Sequence, residues 1–366
     1  MKKKTYTIDS DIGKASSPPS SVYSDPRIFE DQKENIFAKT WQFIPDATTV
    51  KAPGHVLPFS LLDGCLSEPL LLTRDDKGDL CCLSNVCTHR GALVVEGEGH
   101  LRNLRCRYHG RKFQLDGEFI SMPEFEGVSD FPNSCDNLPK LPIKTLGPLH
   151  FTSLDPAMPF SDWITPVLER VSWLQLDQYR FDPASSRDYT LDANWALYCD
   201  NYLDELHIPY VHPVSLGGLD YESYKTECFP WGNVIFGSSP KEEFPLFDLP
   251  SEHPDFGQPI YAFYFWLFPN LMLNFYPTHM QVNVVRPLSH DRTNISFLNY
   301  LKDDVDYFTT HMATSHRVEM EDEEIVMSVQ KGVSSRLYDR GRYSPRREGG
   351  THHFHRLLNQ FEELQR

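Results

Sequence analysis

Short apolar runs separated by turn residues dominate the chain after its N-terminal segment. Between residues 40 and 149 these runs are punctuated by pairs such as Pro53-Gly54 and Asp116-Gly117, which favour tight turns. Runs of this length with this punctuation are typical of short antiparallel strands. The pattern therefore predicts a small antiparallel β domain.

The remainder of the chain mixes helical and strand patterns. Apolar residues recur at helical spacing in segments 162–176, 191–209, 303–330 and 354–364, the last of which predicts an amphipathic closing helix. Between them, residues 260–298 predict a block of strands. Segments 261–268 and 271–276 are apolar on both alternating faces, so we expect helices on one face and a ligand pocket on the other. The predicted class is α+β.

Length and composition support a globular protein with more than one domain. A chain of 366 residues exceeds the usual size of a single core, and 40% hydrophobic and 13% aromatic residues can line a pocket. The net charge of −16 argues against nucleic-acid binding. Residues 5–19 lack the apolar core of a secretory signal, and no apolar run is long enough to span a bilayer. We therefore expect a cytoplasmic protein without a membrane partner.

Eight cysteines without a secretory signal indicate a reducing compartment, in which clustered Cys and His bind metal more often than they form disulfides. Six of them have no His at ligand spacing and are expected to be buried structural thiols: Cys65, Cys81, Cys82, Cys135, Cys199 and Cys228. The histidines beside the C-terminal helix, His352, His353 and His355, are expected to be surface residues rather than ligands.

The remaining two cysteines stand in a paired motif. Cys87-Thr-His89 is separated by sixteen residues from Cys106-Arg-Tyr-His109. Composition alone would produce one such fixed pattern about 3 × 10⁻⁴ times in this chain. Zinc sites typically separate their first two ligands by two to four residues, so one intervening residue favours a Rieske centre, in which two thiolates bind one iron and two imidazoles the other. A zinc site is the alternative that this motif leaves open.

A second candidate metal site lies in residues 194–212, where His207 and His212 stand five apart. On a straight helix the two rings would diverge. Pro209 should kink or end the helix near His207 and let His212 swing back. Two histidines and one carboxylate on one face of an iron leave positions open for oxygen and substrate.

The carboxylate must come from a distant acid, and periodicity leaves several residues of one acidic run open: Glu319, Glu321, Asp322, Glu323 and Glu324. Asp204 stands three residues before His207, so we expect it on the same helix face, where it could orient the imidazole. A helix-end or surface role for Asp204 is the alternative.

Three motifs together resemble the α subunits of Rieske non-haem iron oxygenases, also called ring-hydroxylating oxygenases, over essentially the whole chain. They are Cys87-Thr-His-Arg-Gly91, Cys106-Arg-Tyr-His-Gly110 and the stretch from Asp200-Asn-Tyr-Leu-Asp204 to His212. The resemblance implies a [2Fe-2S] cluster held by Cys87, His89, Cys106 and His109. It also implies a mononuclear Fe(II) held by His207, His212 and Asp322, because Glu321-Asp322 followed by Val329-Gln-Lys-Gly332 resembles the family segment that supplies the third ligand.

The same resemblance implies a fold, an assembly and partners. We expect an N-terminal segment (1–39) packing on the catalytic domain, a Rieske-type antiparallel β domain (40–150), and a helix-grip catalytic domain (151–366) with a curved antiparallel sheet around a long helix. Asp204 would bridge the iron histidine of one subunit to a cluster histidine of its neighbour in a homotrimer. A reductase, a ferredoxin or both would deliver electrons from NAD(P)H, and one or both atoms of O₂ would enter the substrate.

Two positions depart from the family pattern: Arg107 replaces a proline and Arg111 a tryptophan, so both are expected to add positive charge beside the cluster. Segment 268–277 most resembles the branch acting on choline, carnitine and glycine betaine, which favours hydroxylation or demethylation of a quaternary amine. Six aromatic residues are the predicted pocket walls: Tyr202, Tyr210, Phe263, Phe265, Phe275 and Tyr276. An aromatic acid, which Arg286 would bind, and an electron carrier without functional mononuclear iron are the alternatives.

Overall fold

The computed structural model describes residues 6–45, 47–216, 221–238, 245–302 and 306–363. The chain separates into two compact units. Unit 1 joins the N-terminal segment up to Phe37 with the chain from Ala157 onward, and unit 2 comprises Ala38–Pro156. These divisions differ by two and six residues from the boundaries predicted at residues 39 and 150.

Unit 2 consists of short antiparallel strands in its described part. They form sheets in the orders β5-β2-β3-β4-β9, β6-β7-β8 and β1-β11-β10. The strands are β1 (Gln42–Ile44), β2 (His55–Leu61), β3 (Glu68–Arg74), β4 (Leu80–Ser84), β5 (Gly99–His100), β6 (Leu104–Arg105), β7 (Lys112–Phe113), β8 (Phe119–Ser121), β9 (Lys140–Leu141), β10 (Ile143–Leu146) and β11 (Leu149–Thr152). The predicted antiparallel β domain is confirmed.

Unit 1 is built on a seven-stranded antiparallel sheet in the order β12-β18-β17-β16-β15-β14-β13. Its strands are β12 (Arg180–Leu191), β13 (Lys225–Phe229), β14 (Gly232–Ser238), β15 (Ile260–Leu267), β16 (Leu271–Phe275), β17 (His279–Ser289) and β18 (Arg292–Leu301). The helices are α1 (Ser21–Ser24), α2 (Pro26–Asn35), α3 (Phe160–Val171), α4 (Trp195–Leu203), α5 (Ile208–Val211), α6 (Asp306–Val333) and α7 (Gly349–Glu363). A long helix combined with this sheet confirms the predicted α+β class. Within the described residues, no helix is both long and apolar enough to cross a membrane.

The predicted helix over residues 191–209 starts later than expected and is divided into two helices. Leu191 closes strand β12, and helix α4 begins only at Trp195. The Asn194 side chain accepts a hydrogen bond from the backbone N–H of Ala196 at 2.9 Å and so caps the helix. The segment ends as two helices, α4 and the single turn α5, with residues 204–207 between them. The other three predicted helices correspond to α3, α6 and α7, although residues 303–305 and 364 lie outside the described part.

Residues paired directly across neighbouring strands form a row on one face of the large sheet. The row runs Ile235, Tyr264, Asn274, Gln281 and Asn299, from β14 to β18. Side chains alternate between the two faces along a strand. The row therefore points to one face of the sheet, and the apolar residues next to each of its members in sequence point to the other. Amide hydrogen bonds connect Gln281 Nε2 to Asn299 Oδ1 at 3.1 Å and Asn299 Nδ2 to a carbonyl of β12 at 2.9 Å. A row of mostly polar side chains therefore crosses one face of an otherwise apolar strand block.

Two expectations about surface and core are wrong. His352 and His355 are buried, and the His355 ring is enclosed by Asp200 Oδ1 at 2.8 Å and the Tyr343 hydroxyl at 2.7 Å, because α7 packs this polar face inward. Conversely, the thiols expected to be buried include Cys135 and Cys228, which are exposed.

Candidate active site

The two cluster loops have the same backbone conformation. In each, the cysteine carbonyl accepts a hydrogen bond at 3.0 Å from the glycine four residues later, Gly91 after Cys87 and Gly110 after Cys106. Both glycines adopt positive φ angles, +74° and +77°, which side-chain-bearing residues rarely adopt. The matching turns place two ligand pairs on equivalent loops.

The four predicted cluster ligands meet at the ends of these loops. Nδ1 of His89 and Nδ1 of His109 are 3.1 Å apart, close enough to bind one common iron. Cys87 and Cys106 are 3% and 2% exposed and belong to the apolar core of unit 2. Burial raises the pKa of the Cys87 thiol, and the neighbouring Cys106 raises it further. Two buried thiols and two adjacent imidazole nitrogens fit a Rieske cluster.

The two arginines that depart from the family pattern differ in environment. Arg107 is exposed and forms a surface ion pair with Glu96. Arg111 is 2% exposed, and its Nη2 donates to the Asp136 carboxylate at 2.6 Å and to the Asp136 carbonyl at 3.1 Å. The Thr88 hydroxyl donates to the same carbonyl at 2.8 Å. Arg111 is therefore a neutralised, buried connection between the two cluster loops rather than an added free charge.

The predicted iron ligands come from two elements of unit 1. His207 and His212 flank the single turn α5, whose first residues include Pro209, so the expected helix break is present. Asp322 lies on α6. His207 Nε2 and His212 Nε2 are 3.5 and 3.0 Å from Asp322 Oδ1. Ligand atoms of all three residues lie within 4.8 Å of one another, an arrangement that fits the two-histidine, one-carboxylate site of non-haem iron.

A second carboxylate faces the far nitrogen of each histidine. Asp204 Oδ2 lies 3.6 Å from His207 Nδ1, an ion-pair distance longer than a hydrogen bond. Glu321 Oε2 lies 2.7 Å from His212 Nδ1. Burial alone would lower the pKa of His207, but Asp204 and Asp322 raise it to about 9. These contacts present both Nε2 atoms toward Asp322.

The position of Asp204 differs from its predicted place on a helix face. It is the C-cap of α4, with an extended backbone at φ −92° and ψ 119°. Its contact with His207 therefore comes from the link between α4 and α5, and helical spacing does not explain it. Sequence reasoning also missed Asn201, whose Nδ2 donates to Asp322 Oδ1 at 2.7 Å.

The acidic run on α6 divides into residues with different environments. Asp322 faces both histidines, and Glu321 reaches His212. Glu319 and Glu323 are buried at 4% and 8% exposure, whereas Glu324 is exposed. The amphipathic spacing could not separate these residues because a single helix offers acids to both the iron site and the adjoining core.

A pocket adjoins the three predicted iron ligands. Five tyrosines and four carboxylates are among its lining residues: Tyr198, Tyr202, Tyr224, Tyr264, Tyr276, Asp204, Glu205, Glu319 and Asp322. The polar sheet row contributes Tyr264, Asn274 and Gln281. Tyr202 donates a hydrogen bond of 2.6 Å to Asn274 Oδ1, which connects α4 to this row. No lysine or arginine occurs among the described residues that line the pocket.

Only part of the predicted aromatic wall lies in the pocket. Tyr202 and Tyr276 line it. Tyr210 is 79% exposed, whereas Phe263, Phe265 and Phe275 are fully buried away from the described pocket lining. Strand alternation explains the error, because Tyr264 between Phe263 and Phe265 faces the pocket. The hydroxyl of Tyr264, placed between two phenylalanines in an apolar strand, was the signal that could have identified the pocket face.

Comparisons with known proteins agree with this geometry. A family model described as the ring hydroxylating alpha subunit (catalytic domain) matches residues 176–362, and the Rieske [2Fe-2S] domain model matches residues 40–132. Chloroplastic choline monooxygenase of Arabidopsis thaliana is 31% identical, covering 95% of this chain and 83% of that protein. The carnitine monooxygenase oxygenase subunit of Escherichia coli K12 is 27% identical, covering 93% and 92%.

Solved structures share the fold. The quaternary ammonium Rieske monooxygenase CntA in complex with L-carnitine has a TM-score of 0.79 at 22% identity, covering 99% of this chain and 100% of that one. The chain belongs to the family of Rieske non-haem iron oxygenase α subunits. Members of this family carry a [2Fe-2S] cluster and a mononuclear iron, and receive electrons from a separate reductase.

Proposed function

We propose that this chain is the oxygenase component of a multicomponent system that hydroxylates or oxidatively demethylates a small quaternary amine. Electrons come from NAD(P)H through a reductase, a ferredoxin or both, and O₂ is the second substrate. The observation that carries the proposal is the pocket beside His207, His212 and Asp322. Tyrosine rings and carboxylates line it, and its described lining contains no lysine or arginine.

A quaternary ammonium group suits such a lining. Its nitrogen has no N–H to donate, so recognition depends on charge and on contact with aromatic faces, at about 0.5 to 2 kcal/mol per cation–π contact. Tyr264 and Tyr276 form an edge-to-face pair with ring centroids 5.8 Å apart, and both residues line the pocket. The names of the relatives, choline and carnitine monooxygenase, support the same substrate class.

An aromatic acid fits less well. A bound carboxylate would need a basic partner, and Arg286 was the predicted candidate. Arg286 instead donates to Asn294 Oδ1 at 2.9 Å and is absent from the described lining of the pocket. The carboxylates of the pocket would repel an acid that carries no compensating positive charge.

Each metal site has an assigned set of side chains in this proposal. Cys87, His89, Cys106 and His109 hold the [2Fe-2S] cluster, and His207, His212 and Asp322 hold Fe(II). Iron held by these three residues would supply the chemistry that activates O₂, with electrons that a cluster would deliver. The carboxylates of Asp204 and Glu321 face the Nδ1 atoms of the two histidines, which would leave the Nε2 atoms, once deprotonated, to bind the metal. The convergence of three ligands argues against an electron carrier that lacks mononuclear iron.

The assembly and the route of electrons are also part of the proposal. Asp204 is 24% exposed in its side chain, so a carboxylate in contact with His207 can also be reached by a neighbouring subunit. A homotrimer would bring the partner's cluster histidine to Asp204. Mass measurement in solution tests this: about three chains per particle supports it, and a monomer that turns over normally contradicts it. A cytoplasmic location is proposed from the metal-binding thiols, although the plant relatives are described as chloroplastic.

A product screen tests the substrate class. The iron-loaded protein is combined with a surrogate reductase, NADH and ¹⁸O₂, and is offered choline, carnitine and glycine betaine alongside benzoate and phthalate. We expect labelled or demethylated products from at least one quaternary amine and none from the acids. Products from the acids alone would overturn the proposal.

A further inference from the structure

Glu319 is a buried carboxylate on the wall of the pocket. It lies on α6, one helical turn before Asp322, and is 4% exposed. Its Oε2 accepts a hydrogen bond of 2.8 Å from the Tyr198 hydroxyl. Its Oε1 is buried and has no hydrogen-bond partner among the described residues. One carboxylate oxygen is therefore fixed by the protein and the other is left open.

An unpartnered buried carboxylate oxygen is unfavourable for folding, because the protein does not replace the water that the oxygen loses. Burial raises the pKa of Glu319 well above its usual value, and the negative charges of Asp322 and Glu323 raise it further. No cationic side chain forms an ion pair with Glu319 among the described residues. The buried Glu319 carboxylate therefore has an unfavourable free energy that a positively charged ligand could offset.

The other carboxylates of the pocket are engaged. Asp322 faces the two histidines, and Asp204 faces His207. Glu205 forms an ion pair with Arg347 at 3.3 Å and hydrogen bonds with Thr226. A positive ligand in the pocket would find its most available negative partner at Glu319.

We propose that Glu319 is a specificity-determining residue whose carboxylate pairs with the positive charge of the bound amine. This inference rests on the proposed function, because it assumes that the substrate is a cation. The fixed Oε2 keeps the side chain in place through Tyr198, and Oε1 faces the ligand. The tyrosine rings contact the alkyl groups, and Glu319 distinguishes a charged ligand from a neutral one of the same shape.

The test compares a cation with its neutral isostere. Choline and 3,3-dimethylbutan-1-ol have nearly the same shape and differ by one charge. Acetylcholine and 3,3-dimethylbutyl acetate form a second pair. Their dissociation constants are measured anaerobically by calorimetry on the iron-loaded wild type, Glu319→Gln, Glu319→Asp and Glu323→Gln. Iron content and the visible spectrum of the cluster verify that every variant is loaded.

Glu323→Gln is the matched control. Glu323 lies on the same helix, is 8% exposed, and also has an unpartnered Oε1, but it is absent from the described lining of the pocket. Glu323→Gln therefore makes the same substitution on the same helix, but at a residue outside the described pocket lining. We expect its cation affinity to stay within about twofold of wild type.

We expect Glu319→Gln to weaken binding of the cations at least about tenfold, equivalent to about 1.4 kcal/mol, while the neutral isosteres change by less than about twofold. Glu319→Asp should keep the preference for the cations. If Glu319 had only a structural role, the substitution would weaken the binding of both members of a pair equally. The ratio of their two dissociation constants is therefore the decisive measurement.

Two other results would separate this inference from the proposed function. If the wild type prefers the cations and Glu319→Gln prefers them just as strongly, the inference is overturned and the proposed function stands. A wild type that binds the neutral isosteres as tightly as the cations would contradict the proposed function itself, and the inference with it.

Discussion

Replacing Arg111 with methionine should release the two cluster loops from each other. Arg111 is 2% exposed, and its partner Asp136 is 17% exposed. The guanidinium also lies 4.9 Å from the centroid of the Phe119 ring. Methionine fills much of the same apolar space but donates no hydrogen bond, so Asp136 loses its charged partner. The Thr88 hydroxyl alone would then hold the Asp136 carbonyl.

The magnitude follows from this burial. Removing one partner of a buried ion pair costs about 3 to 5 kcal/mol. Because Asp136 retains some contact with water, we expect the lower value, about 3 kcal/mol. If half of that loss is expressed in the unfolding rate, unfolding becomes about tenfold faster. Arg107→Met is the matched control: Arg107 and Glu96 are 79% and 51% exposed, so its cost should stay under about 0.5 kcal/mol.

The assay follows cluster loss in a fixed concentration of urea by the decay of the visible absorption. We expect Arg111→Met to lose the cluster about tenfold faster than wild type, and Arg107→Met to match wild type within about twofold. Equal rates for the two methionine variants would refute the role of Arg111 as a connection between the loops.

Three further predictions concern unit 1. Asp204→Asn should retain both metals by iron analysis yet lose nearly all turnover, and normal turnover would contradict its place in electron transfer. The metal-free His207, with a pKa of about 9, is protonated at neutral pH and must lose that proton to bind Fe(II). Anaerobic titration should therefore give an affinity that rises about tenfold from pH 7 to pH 8, and a flat profile would be inconsistent with that pKa. Gly350→Ala places a Cβ 2.5 Å from the buried Asn233 amide and should lower the free energy of unfolding by about 2 kcal/mol in urea denaturation. Gly349→Ala has nothing within 4 Å and should be neutral, so equal losses in the two alanine variants would exclude this clash.

The site features that could be predicted from the sequence are those set by residues close together in the chain. The predicted cluster ligands lie in two short loops, where residue spacing indicates which side chains come together, and the structure places the His89 and His109 nitrogens 3.1 Å apart. Pro209 indicated the helix break that lets His207 and His212 converge. The third ligand could not be chosen from periodicity, because Asp322 is distinguished from its acidic neighbours only by contacts across the fold.

The pocket was harder to predict for a different reason. Aromatic content identified the strands, but which face meets the pocket depends on register. The paired row through Tyr264, Asn274 and Gln281 fixes that face. Contacts between distant segments, such as that of Glu321 with His212, leave no periodic signal in the sequence.

Counting iron and acid-labile sulfide in the same purified sample tests most directly whether one chain holds both metal centres. After anaerobic loading with Fe(II), we expect about three irons and about two sulfides per chain. About two irons with two sulfides would leave only the cluster and would contradict the oxygenase assignment of the site at His207, His212 and Asp322.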